Sequence, residues 1–324
     1  MAPFVRGFSM AAVAALVVAF AGPENAAAQA ATIRFLVPTS PGSDADSSSR
    51  VIAERFQAQT GQAVVIENRV GAGGSIAAVA LASSPLNGEV VGMQGKSYLL
   101  FKEEFPALKI DPSRDLAPVA LLGRSATVLA IPAQSRFAGL KELAEFGRAN
   151  PGQLTYASAG QGSTTFWAAQ RMLAASKVTA VHIPFKGSPE IVSELLSGRV
   201  DFGYLPSLVA SSQIASGKLK AIAVSATRRL VLFPQVPTTL ELGLEDAEYE
   251  SWLMALVPAK TPLAVQERLN RQFTEVVKSA ETVAQLGRLG HETDAMNLAQ
   301  LREFVAREQA KSTEMARAIR GQRN

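Results

Sequence analysis

Two loops hold the residues best suited to chemistry, and each joins a strand to a helix. The first reads Pro38-Thr39-Ser40-Pro41-Gly42-Ser43-Asp44-Ala45-Asp46. Ser43, followed three residues later by Asp46, has the spacing of a capping box. The second reads Ser158-Ala159-Gly160-Gln161-Gly162-Ser163-Thr164-Thr165. A helix start leaves backbone N–H groups without carbonyl partners and carries the positive end of the helix dipole, so it can hold an anion with no cationic side chain. Glycine at 42 also lets a ligand approach the main chain closely. Singly, each loop is also accounted for by an ordinary turn and cap. Facing one gap from two domains, the pair would suit a small molecule with a negative group at each end.

Catalytic motifs fail on inspection. Gly95-Lys96-Ser97 imitates the end of a P-loop, but Val90 stands where the earlier glycine is required. Gly71-Ala72-Gly73 opens a dinucleotide fingerprint whose third glycine position is Ile76. No GxSxG elbow occurs, and neither His182 nor His291 has a recognisable nucleophile partner or an HExxH motif. The absence of cysteine removes thiolate metal sites, cysteine nucleophiles and disulfides together. The expectation is a protein that is not an enzyme, with no metal and no cofactor.

Partners are bounded by charge and by the first thirty residues. Net charge is +4, and Arg6 and Glu24 offset one another within that segment, so its removal leaves the balance unchanged. The excess is spread along the chain without a basic stripe, which excludes nucleic acid as an expected partner. Arg6, an apolar run from Met10 to Ala21, the breakers Gly22 and Pro23, and Ala28-Gln29-Ala30 have the layout of a secretory signal peptide cleaved after Ala30. The run is short for a bilayer span, and no later stretch offers the roughly 20 apolar residues a transmembrane helix needs. The remaining chain is long enough for two lobes with separate cores.

The elements that must position the two loops alternate. Strand candidates are Ile33–Val37, Ala63–Glu67, Val90–Met93, Val119–Leu122, Thr127–Ile131, Leu154–Tyr156, Val178–Ile183, Val200–Tyr204 and Leu219–Val224. Ile191, Val192, Leu195 and Leu196 make one helical stripe, opened by Ser188-Pro189 and stopped at Gly198. A second runs from Thr261-Pro262 through Val265, Leu269, Phe273 and Val276. Such alternation implies an α/β protein with parallel sheets flanked by helices. The long extended stretches Val119–Ile131 and Tyr249–Val257 are candidate lobe crossings. They divide the chain into a discontinuous first lobe, residues 31–125 plus 255–324, and a second lobe, residues 126–254.

The loops, taken in order, resemble the substrate-binding receptors of tripartite tricarboxylate transporters, the Bug-type or TctC family. The resemblance covers nearly all of the chain after residue 30. It rests on VPTSPGSDADSSSR (37–50), VVIENRVGAGGSIAA (64–78), DLAPVALL (115–122), PGQLTYASAGQGS (151–163), VHIPFKGSPEIVSELLSGRVD (181–201), GKLKAIAVSATRR (217–229), FPQVPTTLELG (233–243) and SWLMALVPAKTP (251–262). It implies the two-lobe type II periplasmic-binding-protein fold, a Venus flytrap with mixed sheets and two interlobe crossings. Its function would be capture of a small carboxylate in the periplasm and delivery to a membrane permease. The receptor is expected to act as a monomer. A sensor presenting the same ligand to a signalling kinase would share fold and ligand, and sequence does not separate the two.

Carried over residue by residue, the family's carboxylate contacts fall on Thr39, Ser40, Pro41, Gly42 and Ser43, then on Ser158, Gln161, Gly162, Ser163 and Thr165. The supporting wall would take Gly95, Lys96 and Ser97 together with Phe185, Lys186 and Gly187. Two departures bear on the ligand. Leu205 and Pro206 stand where many relatives place an aspartate that looks like a partner for a ligand ammonium, so an unaminated carboxylate is expected. Lys96 replaces a small polar residue. Its ammonium either enters the cleft as a counter-charge or remains in solvent. Phe166 and Trp167 are read as core packing rather than cleft lining.

Overall fold

The structure is a computed structural model and describes Met1 and residues 32–321. Apart from Met1, the signal-peptide segment lies outside the described residues. The described residues from 32 to 321 form one compact unit. Within it the chain runs β1 (Ile33–Val37), α1 (Asp44–Thr60), β2 (Val64–Asn68), α2 (Ser75–Ala82), β3 (Val90–Gly95), α3 (Phe101–Glu104), α4 (Pro112–Asp115) and β4 (Leu116–Ser125). It continues through β5 (Thr127–Pro132), α5 (Leu140–Ala149), β6 (Leu154–Ser158), α6 (Thr164–Ser176), β7 (Ala180–Pro184), α7 (Ser188–Leu196), β8 (Phe202–Pro206), α8 (Ser207–Ala215) and β9 (Leu219–Ser225). The last elements are β10 (Ser251–Pro258), α9 (Leu263–Lys278), α10 (Ala280–Arg288) and α11 (Leu298–Gly321).

The strands form two five-stranded sheets, ordered β2-β1-β3-β10-β4 and β7-β6-β8-β5-β9. Both are mixed. β1 runs parallel to β2 and β3, while β10 is antiparallel to β3 and β4. In the second sheet β6 is parallel to β7 and β8, and β5 is antiparallel to β8 and β9. The parallel sheets implied by bare alternation are therefore corrected at two strands, β5 and β10. Each arrives from the other lobe without a helical crossover, the element that forces parallel order.

Passage between lobes is abrupt in one direction and long in the other. β4 ends at Ser125 in the first sheet and β5 begins at Thr127 in the second, so Ala126 alone joins them. β10 pairs within the first sheet along its whole length, starting with Ser251 opposite Ser125. The return passage thus occupies residues 226–250. It lies ahead of the boundary at 255, because an extended stretch in sequence does not reveal which sheet it pairs with.

Helices cover both faces of each sheet, which is why the central strands are largely apolar; every residue of β10 is buried. On one face of the first sheet Phe35, Phe56 and Phe273 meet, with the Phe56 and Phe273 ring centroids 4.9 Å apart. The α9 stripe supplies Leu269, Phe273 and Val276 to this core, while Pro262 sits at the N-cap instead of the first helical turn. α11 serves two cores, with Leu301 and Phe304 in the first lobe and Met315, Ala316 and Ile319 in the second. Phe273→Ala should lower the free energy of unfolding by about 3–5 kcal/mol, measured by urea denaturation, since the ring is fully buried and its loss opens a cavity in the core.

Candidate functional site

The starts of α1 and α6, from opposite lobes, face one enclosed space. Ser43, Asp44 and Ala45 line it from the first, and Ser163, Thr164 and Thr165 from the second. The opening amides of both helices have no in-helix carbonyl to bond, so their dipole ends are directed at the same gap. Thr39, Gln94, Gly95, Ser97, Ser125, Thr127, Ser251 and Trp252 complete much of the remaining wall. The cavity encloses about 90 Å³. At ~10–15 Å³ per water-sized group, that is room for roughly six to nine such groups, the scale of a small organic acid. No Lys or Arg lines it, and Asp44 and His291 are its only titratable side chains.

Four residues that line the cavity each carry a buried side-chain polar atom with no hydrogen-bond partner in the protein: Thr39 Oγ1, Gln94 Nε2, Thr127 Oγ1 and Trp252 Nε1. Burying such groups unpaired costs about 1–3 kcal/mol each, a cost that a polar ligand can remove.

Local bonds set the loop shapes. Asp46 is buried, and its carboxylate accepts from Arg50 Nε at 2.9 Å, Asn68 Nδ2 at 2.9 Å and the Gly42 N–H at 3.0 Å. Burial alone would raise its pKa; these three donors outweigh that and hold it below the ordinary carboxylate value. The capping-box expectation is therefore half corrected. Ser43 is the N-cap, but its side chain makes no cap bond, and Asp46 reaches Gly42 instead of Ser43. At α6 the cap is complete, since Ser163 Oγ accepts from the Phe166 N–H at 3.2 Å. Thr165 Oγ1 accepts from the Ala159 N–H at 2.9 Å and fixes the loop behind it.

The lobes are shut. Gln161 Nε2 donates to Glu104 Oε1 at 2.7 Å, Thr164 Oγ1 lies 3.4 Å from Ser251 Oγ, and the Ser40 N–H reaches the Lys186 carbonyl at 3.5 Å. Gly73 sits so close to the second loop that an added Cβ would stand 2.1 Å from the Gln161 carbonyl oxygen.

Of the residues expected at the site, Thr39, Ser43, Gly95, Ser97, Ser163, Thr165 and Pro206 line the cavity. Ser40, Pro41, Gly42, Gln161, Gly162, Phe185, Lys186 and Gly187 do not; where their contacts are defined, as for Ser40, Gln161 and Lys186, they serve closure. Ser158 points away, its Oγ 2.6 Å from His182 Nε2, and Leu205 is buried in the second lobe's core. Lys96 is also corrected. Its ammonium pairs with Glu308 at 2.7 Å and stands over the Tyr249 ring, outside the cavity and mostly out of solvent, so neither counter-charge nor solvated lysine describes it. Phe166 and Trp167 are packed in the second lobe's core.

Sequence reasoning missed Asp44, Gln94, Ser125, Thr127, Ser251, Trp252 and His291. Position 94 precedes a glycine already singled out, and 125, 127, 251 and 252 flank the crossings, where both lobes can share a wall. Nothing local could have joined Asp44 to His291 across 247 residues.

Two α/β lobes, linked by strand crossings and shut on a small polar cavity, define a two-lobed solute-binding protein. Comparison with known proteins narrows this. Residues 48–320 match the family described as "Tripartite tricarboxylate transporter family receptor". Protein BugT of Bordetella pertussis is 30% identical over 280 residues, covering 85% of each chain. A UPF0065 protein from the tcbD–tcbE intergenic region of Pseudomonas sp. strain P51 is 33% identical over 263 residues, covering 81% of this chain and 78% of that one. MatC of Rhodopseudomonas palustris, solved with bound malate, superposes with a TM-score of 0.83 at 26% identity, covering 88% of this chain and 98% of that one. The chain belongs to the tripartite tricarboxylate transporter receptor family, whose members are periplasmic substrate-binding receptors and not enzymes. No described helix is long and apolar enough to cross a membrane.

Gly73→Ala should block closure, because the clash is with main chain and cannot be relieved by a rotamer change. Small-angle X-ray scattering is expected to show no ligand-induced compaction, with the far-ultraviolet circular dichroism spectrum unchanged. Lys96→Ala should lower the melting temperature while leaving ligand affinity and its salt dependence as they were, since the charge it removes belongs to an ion pair outside the cavity.

Proposed function

We propose that this protein is exported by a signal peptide cleaved after Ala30. In the periplasm it closes as a monomer on one small unaminated carboxylate, then delivers it to a tripartite tricarboxylate-type permease. The observation that carries this reading is the convergence of two helix starts on a shut cavity with four unpaired buried polar atoms and no cationic residue of the Lys or Arg type. Backbone dipoles and hydroxyls then do the work of charge recognition, as suits an anion that must be released again. The malate held by MatC supports the ligand class and its size. Pro206 in the wall offers no partner for an ammonium group, and the one carboxylate present, Asp44, is engaged by His291.

A thermal-shift screen of three- to six-carbon mono- and dicarboxylates, with aspartate and glutamate as controls, tests the reading. A true ligand at 100 times its Kd adds about 2.7 kcal/mol of stability. Binding of aspartate or glutamate with no response to dicarboxylates overturns the unaminated class, and silence across the panel overturns the receptor. Capture of a kinase ectodomain in place of a permease by the liganded protein would favour the sensor. Thr127→Val removes an unpaired hydroxyl, so it should leave stability unchanged or raised yet weaken binding by about 1–3 kcal/mol in calorimetry.

A further inference from the structure

Asp44 is the one carboxylate on the cavity wall, and an anionic ligand must be bound beside it. Its Oδ1 lies 3.0 Å from His291 Nε2, and Ser48 Oγ lies 3.1 Å from the same nitrogen. A carboxylate can only accept, so this geometry places a proton on Nε2. His291 is 2% exposed and Asp44 19% exposed, so the pair is held largely away from water. Other charges near the histidine are spent elsewhere. Arg124, on β4 behind the ring, bonds Asp294 at 3.0 Å. On the histidine's own loop, Glu292 bonds Arg228 of the second lobe at 2.6 Å. Within α1, Asp46 is bonded to Arg50, and Arg288 at the end of α10 is exposed. From α8 the facing residue is the uncharged Ser207, whose Oγ would be 2.1 Å from a Cβ placed on Gly290. Asp44 therefore has a single counter-charge within bonding reach, and that counter-charge titrates.

We propose that Asp44, held by His291, is the residue that sets the ligand charge the cavity accepts. With His291 doubly protonated, the pair is neutral overall, and the two helix starts are free to hold an anion. Loss of the Nδ1 proton leaves the carboxylate hydrogen-bonded by Nε2–H but without a compensating charge, which opposes the anion. Above the midpoint of the unliganded histidine, binding therefore takes up a proton on the imidazole, and closure assists, because the loop carrying His291 is itself a contact between the lobes. The inference rests on the receptor reading above and adds to it a proton as an obligatory companion of the ligand. Burial alone would lower the histidine's pKa; the charge and hydrogen bond of Asp44 outweigh it, and the net direction is upward from about 6.5. A raised pKa means that the charged pair is fully present below about 6.5 and is lost as pH rises through the higher folded-state value. Anion affinity should follow the same window.

The chain has only two histidines, so nuclear magnetic resonance of protein labelled at histidine resolves each ring. The test titrates the unmodified protein alone and with saturating malate, succinate or adipate, and repeats calorimetry with the same acids in phosphate and in Tris. The expected result is an upward move of the His291 midpoint on binding. Proton uptake should appear as a buffer-dependent enthalpy, and affinity should fall by up to about tenfold per pH unit above the midpoint, the limit for one proton. Asp44→Asn should flatten that pH dependence to within about twofold and keep binding at high pH. Either substitution in the pair disturbs a buried contact, so the histidine titration of the unmodified protein carries the test by itself. Binding with an unmoved His291 midpoint and equal enthalpies in both buffers overturns this inference and leaves the receptor standing. Silence of the whole carboxylate panel at every pH removes the receptor reading and this inference with it.

Discussion

Main-chain amides from two different lobes must be brought to face one another across a single cavity, and the rest of the architecture answers to that requirement. An Arg or Lys would tolerate sloppy placement, since a long flexible stem finds its partner; a helix end cannot move independently of its lobe. Hence Asp46 is tied to three donors behind the first loop, and Thr165 fixes the second loop from within. The same requirement explains why main chain meets main chain where Gly73 packs against the loop of residues 160–163. A side chain at that point would hold the helix ends apart.

Much of the fold was legible because its signals are local. Nine strand candidates and the two helical stripes follow from period and breakers alone, and the structure places an element at each. The two anion-site loops were legible for the same reason, being short strings with glycine, hydroxyls and a helix behind them. Sheet direction at β5 and β10 was not, because pairing partners are set by which lobe the chain has entered.

The site shows the same division. Gly95 and Ser97 reach the cavity from a string recognisable in sequence, while the residue between them, Lys96, opens the 3₁₀ turn that follows β3 and turns out to Glu308. Asp44 and His291, the titratable side chains among the described residues of the cavity wall, meet from positions with no relation in sequence. A histidine with nothing around it in the chain can still be a full partner in space.

α11 places its first turns in the core of one lobe and its last in the core of the other. Neither hydrophobic core is complete until that final segment has been synthesised, so the two halves cannot mature one after the other as translation proceeds. A chain cut at the start of α11 loses packing in both lobes, whereas a cut after Phe304 leaves the second lobe short of Met315, Ala316 and Ile319.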